Sequence, residues 1–287
     1  MNRFVWLASY PKSGNTWFRV FLSNYLCDAN APVDINHLVD GPIASARSTF
    51  DATVGYDSSD LLADEIERLR PEVYLHLAEH ATAPLYCKAH DAYTTLSDGR
   101  ALFPPAATSC AIYFVRNPLD VCVSLASHFG HNDIARVVAE IGDRTHALFA
   151  KSDRERNQLP QKLLTWSAHV LSWVDAPAIR VHVVRYEDLK LDPEETFAFA
   201  VQFLGLPYDS ARLRRAVEFS RFEELRRQED TVGFGEKLPC APSFFRQGEV
   251  GAWRAVLSTS QVQRVIADHR AVMMRMGYLA PSGEPLF

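Results

Sequence analysis

No apolar stretch in the 287-residue chain approaches the length that spans a bilayer. The short apolar run after Arg3 is followed by no small-residue cleavage site, which argues against a secretory leader. A cytoplasmic protein with no membrane partner is therefore expected. Basic excess is lacking too: 30 Lys and Arg stand against 35 Asp and Glu, a formal net charge of −5. That balance sets up no global field for nucleic acid. The arginines at 212, 214, 215, 221, 226 and 227 are interleaved with Glu218, Glu223, Glu224 and Glu229 and read as a solvated helix face. Cysteines number five, an odd count without close pairing, which suits a reducing compartment. Cys87 and Cys110 fall in apolar runs and are expected as buried thiols. HExxH, CxxC and acidic calcium loops are absent, so no metal is expected. His76 and His80 stand at helical spacing without a third ligand and read as one face of a surface helix. Repeats, low-complexity tracts and Gly/Ser linkers are missing as well, and a single domain over residues 1–287 is expected.

What is present is an ordinary globular composition, 47% apolar and 23% charged, enough for one α/β domain with a sizeable core. Strand-like runs at 4–8, 84–88, 110–115 and 179–184 alternate with helical patterns near 15–27, 60–70, 118–129, 161–174, 193–204, 208–219 and 259–275. The alternation predicts a mostly parallel sheet covered by helices on both faces. Ligands of such sheets bind at the carboxyl ends of strands.

Those strand ends carry the chemistry. The first strand breaks at Tyr10-Pro11-Lys12-Ser13-Gly14 and a helix opens at Asn15. The first-turn N–H groups of such a helix, its dipole, the Lys12 charge and the hydroxyls of Ser13 and Thr16 together favour a bound anion. The nucleotide-triphosphatase pattern, GxxxxGK followed by Ser or Thr, is not met, because lysine precedes the glycine here. A second apolar strand ends at Arg116, turns at Asn117-Pro118 and enters a helix bearing Ser124. Arginine at a strand end offers a planar fork of donors to phosphate oxygens. A third ends in Lys88-Ala89-His90, and alternation along the strand sets Lys88 and His90 on one side. An imidazole suits the removal of a proton near neutral pH.

In order along the chain, these blocks resemble the soluble sulfotransferases that use 3′-phosphoadenosine 5′-phosphosulfate (PAPS), together with their bacterial relatives. Residues 10–17 resemble the 5′-phosphosulfate loop YPKSGTTW, with Asn15 the departure. Residues 111–124 resemble the 3′-phosphate segment, and Lys88-Ala89-His90 the Lys-Thr-His stretch. Val184–Leu189 resembles RYEDL, and Ser220-Arg221-Phe222 resembles the TSF stretch that frames adenine. Residues 246–253 resemble RKGxxGDW, with Gln247 in place of lysine and Ala252 in place of aspartate.

The resemblance implies a single α/β, P-loop-like domain with a central mostly parallel sheet flanked by helices. It implies PAPS as donor and adenosine 3′,5′-bisphosphate (PAP) as product, without metal. The implied donor contacts are Lys12, Ser13, Gly14, Asn15, Thr16, Trp17, Arg116, Ser124, Tyr186, Ser220, Phe222, Arg246, Gln247 and Gly248. His90 is the implied base, and Lys12 and Lys88 neutralise charge on the moving group. The acceptor is a hydroxyl of a small molecule or natural product. The irregular stretch 28–60, with Phe50 and Tyr56, is expected to form a wall over the acceptor side, and 230–243 is the other irregular segment. The family's short dimer motif would fall at residues 254–263, where its residues are replaced, so oligomeric state stays open. Two other readings stand beside this one: a P-loop kinase of small molecules, and a non-catalytic nucleotide-binding relative.

Overall fold

A computed structural model describes residues 3–130, 133–150 and 157–287. Along the chain run β1 (Phe4–Ser9), α1 (Asn15–Cys27), α2 (Arg47–Val54), α3 (Ala63–His80), β2 (Leu85–Ala89), β3 (Thr108–Val115), α4 (Pro118–His128) and α5 (Ile134–Ile141). There follow β4 (Ala147–Leu148), β5 (Gln161–Lys162), α6 (Trp166–Val174), β6 (Val181–Arg185), α7 (Tyr186–Leu191), α8 (Pro193–Phe203), α9 (Ser210–Phe219), α10 (Phe222–Val232) and α11 (Thr259–Arg275). Four strands form the central parallel sheet in the order β2-β1-β3-β6, flanked by helices, and β4 pairs with β5 in a separate two-stranded ribbon. β1 is buried at all six positions, as a strand covered on both faces must be. Its parallel register with β2 sets Leu7 opposite Lys88 and Ala8 opposite Ala89.

The chain separates into two compact units, one of residues 1–10, 40–113 and 144–183, the other of 11–39, 114–143 and 184–287. In the first, Trp6 stacks on Phe4 at 4.3 Å and meets Tyr74 and Phe103 edge-on. In the second, Phe21 stacks on Phe197 at 3.8 Å beside Phe18 and Phe114. A further cluster of Val20, Ile35, Leu225, Phe234 and Phe245 lies in that same unit.

The expected strands are all found. Helix α3 differs, because it runs through Pro71 to His80 where the expected helix stopped at residue 70. Proline removes one backbone donor and disfavours helix in the residue before it, yet Arg70 is pinned there by its buried side chain. The stretch 28–60 is less irregular than expected, since it holds α2 and a 3-10 turn at 58–60. It also divides between the units: residues 28–39 belong with the second and 40–60 with the first. Strand-like β5 occupies the start of the segment expected as helix from 161, and α6 begins only at Trp166, capped by Thr165. Helices α2, α5 and α7 were not expected, and α10 only as the helix face read from its arginines; α7 is too short, at six residues, to show a period.

Candidate active site

In the second unit, two left-handed residues on either side of Ser13 shape the anion loop. Lys12 has φ +69° and Gly14 φ +99°. A lysine in that region is strained by about 1–2 kcal/mol. Gly14 can be nothing larger, because a Cβ there would stand 2.9 Å from the Tyr186 ring. Tyr186 is the hub of this cluster: its ring lies under Gly14, meets Trp17 edge-on at 6.0 Å and carries the Arg116 guanidinium on its face at 4.2 Å. Burial pushes its phenol upward and keeps it neutral. Lys12 Nζ lies 3.8 Å over the Phe244 ring.

Arg116 links the separate motifs. At 8% exposure it donates to the carbonyl of Glu249 at 2.8 Å and, weakly, to that of Lys12 at 3.5 Å. Its Nε is buried without a hydrogen-bond partner, and the same holds for Ser13 Oγ and Trp17 Nε1. A buried polar atom left unsatisfied costs about 1–3 kcal/mol. Three such atoms around one loop fit a polar, anionic ligand that satisfies them. Asn15 and Thr16 are buried in the first turn of α1, which opens on the loop. Asn117 caps α4 through Leu119 N–H, with Pro118 next, and Ser124 sits half-buried further along that helix.

The segment 244–253 is built against this cluster by residues that the motif reading missed. Glu229 on α10 is 7% exposed and accepts from the N–H groups of Phe244 and Phe245, at 2.6 and 2.9 Å. Arg226, one turn earlier, donates to the carbonyls of Phe245 and Arg246. The expected solvated face thus holds only in part. Arg221–Glu218 is an exposed pair and Arg227 is exposed beside Glu224, whereas Glu229 is buried and the half-buried Arg226 reaches to the carbonyls of residues 245 and 246. Asp120, in the first turn of α4, accepts from Gly251 and Trp253 N–H. Phe222 packs its ring on Gly248, where a Cβ would stand 2.7 Å away, and Ser220 turns its hydroxyl to Val217 C=O. Arg246 is half-buried and Gln247 exposed. Buried Glu187 accepts from Asn117 N–H and the Tyr278 hydroxyl, and desolvation raises its carboxyl above the ordinary range.

In the first unit, β2 ends at Ala89 and His90 follows. His90 Nδ1 lies 2.9 Å from the carbonyl oxygen of Ser9, the last residue of β1. A carbonyl only accepts, so the neutral ring carries its proton on Nδ1 and its lone pair on Nε2. Residues 41–44 run along the outer edge of β2, Gly41 N–H donating to Tyr86 C=O and Ala44 N–H to Lys88 C=O. Phe50 is 2% exposed and belongs to the core, so it is not the surface wall that was expected; Tyr56 is 50% exposed.

A family model for the sulfotransferase domain matches residues 2–277. The chain belongs to the sulfotransferase family. This sulfotransferase is 24% identical over 273 residues to sulfotransferase 2A1 of Mus musculus, covering 90% of this chain and 79% of the relative. It is 23% identical to flavonol 3-sulfotransferase of Flaveria bidentis (91% and 78% covered) and 27% to cytosolic sulfotransferase 12 of Arabidopsis thaliana (90% and 74%). In fold it is similar to mouse sulfotransferase SULT7A1 complexed with PAP, with TM-score 0.59, 19% identity and coverage of 96% and 85%. Retinol dehydratase in complex with androsterone and PAP gives TM-score 0.56, 20% identity and coverage of 97% and 83%. Among the described residues no helix of this sulfotransferase is long and apolar enough to cross a membrane, and no group of three His, Cys, Asp or Glu could hold a metal.

Proposed function

We propose that this sulfotransferase uses PAPS as donor and transfers its sulfuryl group to a hydroxyl of a small molecule or natural product, with His90 as general base. The observation that carries the proposal is the contact of His90 Nδ1 with Ser9 C=O, which assigns the His90 tautomer. Its Nδ1–H is spent on Ser9 C=O at 2.9 Å, so Nε2 is the basic nitrogen, two residues past Lys88 and next to the strand that leads into the anion loop. When bound, the donor supplies a sulfuryl group whose bond to the bridging phosphate oxygen breaks as the acceptor oxygen bonds to sulfur. His90 Nε2 takes the acceptor's proton. Lys12 and Lys88 neutralise charge at the transferring end, where preplaced cations need no reorganisation.

Donor binding is assigned to Lys12, Ser13, Gly14, Asn15, Thr16 and Trp17 at the loop and to Arg116 and Ser124 at the 3′-phosphate. Tyr186, Ser220, Phe222, Arg246, Gln247 and Gly248 frame the nucleoside. The unsatisfied Ser13 Oγ and Arg116 Nε support this assignment. A small-molecule acceptor accords with the flavonol sulfotransferase among the relatives and with the androsterone-bound neighbour. One sulfotransferase domain over both units and a cytoplasmic location complete the proposal; the family match runs through both units.

The test is incubation with labelled PAPS and a panel of phenols, alcohols and sugars, with and without chelator. Labelled product and released PAP in both conditions are expected. No transfer to any hydroxyl, or phosphoryl transfer from ATP instead, would overturn the proposal.

A further inference from the structure

A chain of hydrogen bonds runs through the residue that follows β2, from the end of β1 to α6 and β3. His90 Nδ1–H donates to Ser9 C=O. His90's own carbonyl accepts from His169 Nε2 on α6, at 3.0 Å. Since that nitrogen must then be protonated, Nδ1 of the neutral His169 ring is the acceptor, and it faces the Tyr113 hydroxyl at 2.9 Å.

Each donor in this chain of bonds has a single orientation because the acceptor beyond it is fixed. His169 is fully buried, and burial lowers its pKa to about 4, which keeps the ring neutral and its tautomer fixed near neutral pH. Tyr113 is likewise fully buried, and burial pushes its phenol well above the ordinary range, so its O–H remains a donor. Neither side chain was singled out by any motif.

We infer that His169, oriented by Tyr113, is a positioning residue: it holds the backbone of His90 so that the His90 ring keeps Nδ1–H on Ser9 and presents Nε2 to the acceptor. The inference rests on His90 being the base. A displacement of about 1 Å at a reacting group can cost about 10²-fold in rate, and this chain of bonds opposes such a displacement.

The test combines spectroscopy of the ligand-free protein with kinetics. In 15N-histidine NMR near pH 7, with signals assigned through His90→Ala and His169→Phe, His90 should show the Nδ1–H tautomer and His169 the Nε2–H tautomer. His169→Phe should convert the His90 signals to a tautomer-averaged pattern and lower kcat by about 10- to 100-fold, with PAP affinity within about twofold. His169→Gln, which keeps an N–H aimed at His90 C=O, should restore the His90 tautomer and most of the rate. Tyr113→Phe, which deletes one oxygen, should give the same pattern more weakly and covers the case in which His169→Phe does not fold. In a His90→Ala background, His169→Phe should add less than about twofold. Full multiplication of the two losses, or an unchanged His90 spectrum in His169→Phe, would overturn the positioning role while leaving His90 as base. Near-normal turnover in His90→Ala would overturn the base assignment itself.

Discussion

Asp91, next to the proposed base, forms a buried pair whose removal has a calculable cost. Its two carboxylate oxygens accept from Arg70 NH1 and NH2 at 2.8 and 2.7 Å, and the two side chains are only 4% and 1% exposed. Burial works against the Arg70 charge, but Asp91 and the Tyr74 hydroxyl more than reverse it, so its pKa is held above the ordinary range. Asp91→Ala leaves that guanidinium buried with only neutral acceptors, the Tyr74 hydroxyl and Pro160 C=O. Breaking a buried pair by deleting one partner costs about 3–5 kcal/mol. At roughly 2–4 °C per kcal/mol for a chain of this size, Tm should fall by roughly 6–20 °C. Adding Arg70→Met removes the orphaned charge, so the double variant should be more stable than Asp91→Ala alone. Scanning calorimetry with urea unfolding measures wild type, both single variants and the double variant. Asp91→Ala within about 1 kcal/mol of wild type, a threshold well below the expected pair-breaking cost, or a double variant that loses the sum of the single effects, would refute this reasoning.

Three further outcomes are expected. Arg116→Ala should weaken PAP binding by tenfold or more, as for loss of a charge-assisted contact, and adenosine 5′-phosphate binding much less; equal losses by calorimetry would give Arg116 another role. Glu229→Ala strands the N–H groups of Phe244 and Phe245, and PAP affinity should fall by about tenfold, corresponding to the about 1–3 kcal/mol cost of unsatisfied donors. On acidification, His169 and His269, whose pKa values burial lowers to about 4, stay neutral in the native protein while the unfolded chain protonates them below about 6.5. Stability should therefore be full above pH 6.5 and fall between about 6.5 and 4, by at most about 1.4 kcal/mol per unit for each. Urea unfolding across that window checks it, and His169→Gln should reduce the slope.

Much of the loop cluster proposed to bind the donor was legible because its parts are local. A short loop with lysine before glycine, and an arginine before Asn-Pro, are visible as strings, and their strands carry uninterrupted apolar runs. The supporting residues were not legible. Glu229 and Arg226 sit in a charge-rich helix whose composition matches any solvated face, and only the return of residues 244–246 onto α10 shows which backbone groups they bind. Asp120 and Glu187 look like ordinary first-turn acids until the backbone N–H groups they accept from, at 251, 253 and 117, are known. Pro71 hid half of α3, since a proline reads as a stop when the packing that overrides it is unseen. His169 is one histidine among ten, and nothing in its neighbours' identities distinguishes it from a core filler.

The most direct test of the central claim is the separation of turnover from donor binding in His90→Ala. With a hydroxyl acceptor identified from the panel, kcat should fall by roughly 10²–10⁴-fold, the range for loss of a general base. PAP affinity, measured on the same preparation by calorimetry, should stay within about twofold of wild type, because the donor contacts proposed above do not include His90. Turnover near that of wild type in His90→Ala would contradict the account.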